Sequence, residues 1–319
     1  MTVIIPKKAY LTVVAACVRF ANQKIPRDKW LEVSGIFIGK NEKNRESNVI
    51  ISEAHPIMHQ TYDPEAIVDK YVWSDEDMVS LSIIDEQAFN KGEFVIGWWH
   101  SHPGFKVMLS EFGDRRTTVF YQSNNPLAIA LVFNPERLTR QIEAGEKMGD
   151  PVKQLKNDPG FKIFRLEDGN DEKSNFIEVD YRIEGFDNME ELVKETQKFI
   201  IDITNFFPKD DLFKKYESFI DERITRLNSL IIGTEEYLKT LIRQGERNRV
   251  PEVLDNQKKE IRRFVAETFI KVGNIKEYMN FLEYKERETT IPMVHEILSR
   301  WDQTISKLDE RLNEISNKF

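Results

Sequence analysis

The stretch FVIGWWHSHPGF, residues 94–105, contains the strongest strand signal in the chain. Its apolar run has the length and composition of a strand buried in a sheet, and it leads directly into His100. Residues two apart in a strand project from the same face, so His100 and His102 present two imidazoles side by side while Ser101 points away. The stretch therefore predicts a central strand that ends in a two-nitrogen metal clamp.

The sequence around this strand alternates between strand-like and helix-like patterns. We predict a helix near 8–22, strands over 33–39, 48–54 and 127–133, a helix from a cap at Ser74 to about 90, a second helix from Ser110 to about 123, and two strands over 160–166 and 176–181. This order predicts an α/β domain with a central mixed sheet flanked by helices. We interpret the polar segments 59–72 and 136–160 as an insertion and a surface excursion.

From about residue 187 the chain changes to long helical segments rich in Glu, Lys and Arg. We therefore expect a first domain over 1–185 and an all-helical, partly coiled-coil region over 186–319. The last segment has apolar residues in a three-four alternation typical of a heptad seam: Ile291, Val294, Leu298, Trp301, Ile305, Leu308, Leu312 and Ile315. Two interpretations stay open, a partner-binding or self-associating coil and an amphipathic helix packed on the chain's own domain.

Composition narrows the class of protein. The 319 residues carry a net charge of −8, which argues against a nucleic-acid partner. The single cysteine, Cys17, excludes an internal disulfide and a cysteine zinc cluster. The apolar run that follows Lys7 and Lys8 is too short to span a bilayer, so we interpret it as a helix of a cytoplasmic protein that has no membrane partner.

The histidine pair needs further groups before it can support catalysis. A catalytic zinc takes a third protein ligand and an open position for water, and Asp114 is the nearest suitable carboxylate on the following predicted helix. Glu32, immediately before a buried strand, would act as the general base that removes the proton of that water. Ser110, at the predicted helix N-cap, either donates a hydrogen bond to the oxyanion or only caps the helix.

These residues together resemble a known motif. Glu32 ahead of VSG, the HSHPGF stretch, Ser110 and the DRRT segment that begins at Asp114 are similar, in order and type, to the JAMM motif of the MPN-plus zinc metallopeptidases. The resemblance covers roughly residues 5–183 and is greatest to the deubiquitinating subunit of the proteasome lid.

The resemblance implies both a fold and an activity. The fold would be an MPN domain, related to cytidine deaminases, with one zinc per chain held by His100, His102 and Asp114. The activity would be hydrolysis of the bond after the C-terminal Gly-Gly of ubiquitin or a ubiquitin-like protein, with substrate contacts expected in 56–73 and 136–160. The C-terminal helices would dock the enzyme to a partner or form a homodimer.

One departure from the family pattern concerns the third ligand. The family reads Ser-x-x-Asp, whereas this chain has one more residue between Ser110 and Asp114. Thr117 follows Asp114 at the family spacing, which favours Asp114, and Glu111 is the alternative ligand. Two other functions remain open: a metal-free MPN scaffold, and a hydrolase that acts on a sulfur-carrier protein with a Gly-Gly tail.

Overall fold

The computed structural model describes residues 1–43, 47–60, 73–111, 113–145, 151, 153–206 and 212–319. Most of the predicted insertion at 59–72, part of the excursion at 136–160, and Phe112 in the loop before Asp114 lie outside the described residues.

The described residues form ten strands and nine α-helices. In chain order these are β1 (Thr2–Pro6), α1 (Lys7–Phe20), β2 (Val33–Lys43), β3 (Ser47–His59), α2 (Asp75–Phe89), β4 (Phe94–Ser101), α3 (Asp114–Asn124), β5 (Ile129–Phe133), α4 (Pro135–Thr139), β6 (Ile142–Glu143), β7 (Lys153–Gln154), β8 (Phe161–Leu166), β9 (Phe176–Glu178), β10 (Asp180–Glu184), α5 (Met189–Phe206), α6 (Leu212–Arg243), α7 (Val250–Tyr278), α8 (Tyr284–Ser306) and α9 (Leu308–Lys318).

Eight of the strands form one mixed sheet in the order β10-β1-β3-β2-β4-β5-β8-β9. The strand β4 lies at its centre, antiparallel to β2 and parallel to β5. With helices on the sheet and a helical C-terminal region, the predicted α/β fold is confirmed. The last two residues of β4 are His100 and Ser101, so the central strand delivers the histidine pair to its own carboxyl end.

Close approach of neighbouring strands explains a glycine in β4. Gly97 pairs with Ile129 of β5, and a Cβ built on Gly97 would lie 2.4 Å from the carbonyl oxygen of Ile129. Any side chain here would push the two central strands apart. Only glycine at this position therefore permits the observed spacing of β4 and β5.

Two local features differ from the sequence analysis. It did not identify the strand β1, which pairs in parallel with both β3 and β10. Its partners lie far away in sequence, and no local pattern reports them. The helix predicted from Ser110 begins instead at Asp114, with Gly113 as its N-cap.

Contacts between Cα atoms divide the chain into two units. The first comprises Met1–Lys209 and Asn280–Glu286, and the second comprises Asp210–Met279 and Arg287–Phe319. The domain boundary expected between residues 185 and 186 falls before α5, whereas the contacts place α5 in the first unit. The functions expected of the two regions stay predictions. No described helix combines the length and the apolar character needed to cross a membrane.

The predicted heptad seam lies in the second unit, on α8 and α9. Its described side chains are mostly buried by the chain itself; Trp301, for example, is fully buried. The chain's own helices thus cover the seam, as the second of the two interpretations expects. Self-association through these helices remains a prediction.

Candidate metal centre

The end of β4 and the start of α3 bring together three side chains that could hold a metal ion. The Nε2 atoms of His100 and His102 lie 2.7 Å apart. The carboxylate of Asp114 contacts both rings, with Oδ1 at 3.1 Å from His100 Nε2 and Oδ2 at 3.4 Å from His102 Nε2. All three side chains are buried, and their ligand atoms lie within 4.8 Å of one another.

The orientation of the His102 ring is fixed by a backbone carbonyl. His102 Nδ1 lies 2.9 Å from the carbonyl oxygen of Lys106. Because a carbonyl can only accept, Nδ1 must carry the proton and donate it. In the neutral ring the lone pair is then on Nε2, which faces Asp114 and His100. A hydrogen bond of this kind is the usual support of a histidine that ligates a metal.

A tryptophan and a threonine support the other two members of the cluster. Trp98 stacks on the His100 ring with centroids 4.7 Å apart and planes 15° apart. Its indole N–H donates to Thr118 Oγ1 at 3.3 Å, and the Thr118 hydroxyl donates to the backbone carbonyl of Asp114 at 2.7 Å. The wall of the site and the first turn of α3 are therefore joined by hydrogen bonds.

Electrostatics hold Asp114 in its charged form. Burial raises the pKa of this carboxyl, but the charge and hydrogen bonds of His100 and His102 outweigh burial, so the pKa lies well below its usual range. Burial lowers the pKa of His102, but the hydrogen bond and charge of Asp114, together with the charge of Glu32, raise it overall. The cluster thus combines a carboxylate with two imidazoles at short range.

The turn from Ser110 to Asp114 closes on itself. The backbone N–H of Ser110 donates to Asp114 Oδ2 at 2.6 Å, and the backbone N–H of Asp114 donates to Ser110 Oγ at 3.3 Å. This reciprocal pair accommodates the extra residue and turns the Asp114 carboxylate back toward the histidines. Ser110 is therefore not the N-cap of α3, although its hydroxyl does bond the first helical N–H.

The alternative ligand, Glu111, lies in this same turn. Its side chain is exposed, and it is not among the described residues that form the cluster. The structure thus brings Asp114, and not Glu111, to the histidine pair.

Glu32 lies at the edge of the cluster, half-buried, directly before β2. It does not belong to the three-residue group, yet its charge acts on His102. Two hydrogen bonds with one neighbour fix its backbone: Gln60 Oε1 accepts from the Glu32 N–H at 3.2 Å, and the Gln60 N–H donates to the Glu32 carbonyl at 2.7 Å. On the other side, the N–H of Val33 donates to Ser101 Oγ at 2.9 Å.

Sequence analysis missed the supporting residues. Nothing in the local sequence pattern indicates a role for Gln60, which directly follows β3 and is far from Glu32 in sequence. Thr118 did have a detectable signal, because it follows Asp114 by four residues and so shares its helical face.

The donor set fits a divalent cation such as zinc. Two imidazole nitrogens and one carboxylate oxygen converge, and the hydrogen bond from His102 Nδ1 leaves its Nε2 lone pair directed at the shared centre. Zinc takes nitrogen and oxygen ligands of these types, and three protein ligands leave one tetrahedral position open.

Comparison with known proteins agrees with this geometry. Residues 1–126 match the family described as "JAB1/Mov34/MPN/PAD-1 ubiquitin protease". This part of the chain belongs to the JAB/MPN family. The matched span of the JAB/MPN domain includes Glu32, both histidines, Ser110 and Asp114.

Several curated proteins resemble the JAB/MPN domain. COP9 signalosome complex subunit 5 of Oryza sativa subsp. japonica is 33% identical over 118 residues, which are 36% of this chain and 29% of the relative. Ubiquitin carboxyl-terminal hydrolase RPN11 of Saccharomyces cerevisiae is 30% identical over 105 residues, 33% of this chain and 32% of the relative. The 26S proteasome non-ATPase regulatory subunit 14 of Dictyostelium discoideum is 30% identical over 129 residues, 40% of this chain and 38% of the relative. The matched segments thus span about a third of the length of these relatives.

Proposed function

We propose that the protein is a zinc-dependent isopeptidase that hydrolyses the bond after the C-terminal Gly-Gly of ubiquitin or a ubiquitin-like protein. The observation that carries the proposal is the convergence of His100, His102 and Asp114, with the charge of Glu32 at the edge of the cluster. A relative named as a ubiquitin carboxyl-terminal hydrolase supports the choice of substrate class.

Each residue has a distinct role in this proposal. His100, His102 and Asp114 would hold one zinc ion, which when bound polarises the scissile carbonyl and lowers the pKa of water. Glu32 accepts the proton of the attacking water and later passes a proton to the leaving amine. The hydroxyl of Ser110 accepts a bond from the N–H of Asp114 and still has its own proton to donate to the oxyanion.

The substrate tail would bind in an extended conformation beside the histidine strand, where glycine is slim enough to pass. The cytoplasmic location, and docking to a partner or a second copy through the C-terminal helices, complete the proposal.

The first experiment measures zinc and cleavage together. We expect one zinc per chain by elemental analysis and hydrolysis of a panel of Gly-Gly fusions that includes ubiquitin and sulfur-carrier proteins. Asp114→Ala should lose zinc, whereas Glu111→Gln should keep it. Glu32→Gln should retain zinc while kcat falls by about 100-fold or more, because only the proton acceptor is removed.

Each contrary result identifies a different error. If Asp114→Ala still bound one zinc per chain, Asp114 would not be a ligand. If Glu32→Gln cleaved at the wild-type rate, Glu32 would not be the general base. If the protein had neither zinc nor cleavage activity, the metal-free scaffold would be favoured. If it cleaved only the sulfur-carrier fusions, the substrate class would be sulfur-carrier proteins and not ubiquitin.

A further inference from the structure

A short segment that includes the end of the α7–α8 connection and the first turn of α8 belongs to the first contact unit, although α7 and the rest of α8 lie in the second. The segment, residues 280–286, carries three charged side chains that reach three elements of the first unit. Glu286 bonds Arg19 of α1 at 2.6 and 2.8 Å, and Lys285 Nζ lies 2.8 Å from Asp77 Oδ1 in α2. These bonds fix the position of the third residue, Glu283.

Glu283 is almost completely buried, with 1% of its surface exposed. Its Oε1 accepts a bond from His59 Nδ1 at 2.5 Å. The His59 ring stacks on Phe20 at a centroid distance of 4.3 Å with planes 15° apart. The ring at the end of β3 is thus held on one face by an aromatic ring and at one nitrogen by a carboxylate.

His59 lies next to the residue that holds Glu32. It pairs with Val33 at the end of the β2–β3 ladder, and Gln60, the next residue, bonds both the N–H and the carbonyl of Glu32. A register shift follows between Ser34 and Gly35, so the regular ladder does not extend unbroken to this end. The place of the Glu32 backbone therefore depends on the local contacts of residues 59 and 60.

We propose that Glu283 is a positioning residue for Glu32, acting through His59 and Gln60. The inference rests on the proposed function, because Glu32 is the general base only if the site is hydrolytic. A buried carboxylate such as that of Glu283 costs more free energy than an apolar side chain of the same size would. A role in holding the general base in place would explain why a carboxylate is present here. Burial also raises the pKa of Glu283, which His59 partly opposes.

The test uses full-length chains with matched substitutions. Glu283→Gln keeps the shape but weakens the bond to His59, and His59→Phe keeps the stack on Phe20 but has no N–H to donate. Each should lower kcat by about tenfold with KM changed by less than about twofold, since a displaced base affects the chemical step. The double variant should lose no more than either single variant, because both break one path.

Glu195→Gln, in α5, is the control. It is the same type of substitution as Glu283→Gln and removes an ion pair of the first unit, to Lys7 of α1, that includes neither His59, Gln60 nor any residue of 280–286. Its kcat should stay within about twofold of wild type. Zinc content should be the same in all variants.

Hydrogen exchange supplies a readout that does not need activity. The amides of Glu32 and Gln60 should exchange faster in Glu283→Gln and His59→Phe than in wild type or Glu195→Gln. Unchanged exchange, or an equal loss of kcat in Glu195→Gln, would overturn the positioning role. If the wild type cleaved no Gly-Gly fusion, the proposed function would fail, and the exchange rates would still decide the link from Glu283 to Glu32.

Discussion

The carboxylate of Glu53, in β3, is bonded by two side chains at once. His55 Nε2 lies 3.0 Å from its Oε2, and Lys91 Nζ lies 3.0 Å from its Oε1. The bond from His55 is the largest influence; burial opposes it and Lys91 adds to it, so the pKa of Glu53 falls to about 2 from an ordinary 4.5. Two hydrogen bonds thus lower the pKa of one half-exposed carboxyl group that lies outside the metal centre.

This shift predicts a pH dependence of stability. Because the folded pKa is the lower one, the charged group stabilises the fold above pH 4.5, and this contribution is lost as pH falls from there toward about 2. Since the group is partly exposed, Glu53→Gln should cost only about 0.5–1 kcal/mol of unfolding free energy at pH 6. Urea titrations at pH 6 and pH 3 should show a smaller difference at pH 3; an equal difference at both would refute the linkage.

The candidate ligands could be predicted from the sequence because they are local. His100 lies at the end of β4, His102 follows it by two residues, and Asp114 is the first residue of the next helix, α3. The bond from the Ser110 N–H to the Asp114 carboxylate could not be predicted, since nothing in the residue types specifies how a turn with an extra residue closes. Glu32 could be singled out, but its support by Gln60 could not.

At the scale of elements, the spacing of β4 and β5 predicts that glycine-to-alanine substitutions have opposite effects on stability at Gly97 and Gly273. Gly97→Ala would place a methyl group 2.4 Å from the Ile129 carbonyl oxygen and should destabilise the first unit by about 3 kcal/mol or more. Gly273→Ala, in α7, meets nothing within 4 Å and should stabilise its helix by about 0.5–1 kcal/mol.

Equilibrium urea unfolding followed by circular dichroism would measure both effects. Similar losses at the two positions would show that strand spacing is not what makes Gly97 necessary.

Elements with a clear local signal were predicted well. The cap at Ser74 and the helix after it are confirmed, because a side-chain cap and its reciprocal partner lie within one turn. The strand β1 was missed because its parallel partners are β3 and β10, and parallel pairing leaves no adjacent turn to mark it.

At the scale of the whole molecule, residues 280–286 make a truncation predictable. Arg19 is 5% exposed and its guanidinium is bonded by the Glu286 carboxylate. A fragment of residues 1–209 would lack that carboxylate, and loss of its charge-assisted hydrogen bonds to Arg19 should cost about 1.5–3 kcal/mol. The fragment should therefore melt at a lower temperature than the first unit does in the full chain.

A single substitution in two backgrounds checks this explanation. Arg19→Leu should destabilise the full chain, where it breaks the pair with Glu286, by more than it destabilises the fragment, which lacks Glu286. Thermal melts of the four proteins would decide; an equal loss in both backgrounds would refute the role of Glu286.

The place of residues 280–286 could not be predicted from the sequence. The change in composition near 187 indicated where helices take over, but not that a segment a hundred residues later contacts α1, β3 and α2. Helical periodicity reports which face is buried and not which partner buries it.

The separation in sequence between His59 and Glu283, 224 residues, has a consequence for the protein as it is made. All three candidate metal ligands leave the ribosome within one short stretch, long before Glu283 appears. A nascent chain could thus acquire the ion early, while the contacts proposed to hold its base would be completed only after Glu283 has been made. Until then, hydrolysis would run at the reduced rate expected of Glu283→Gln.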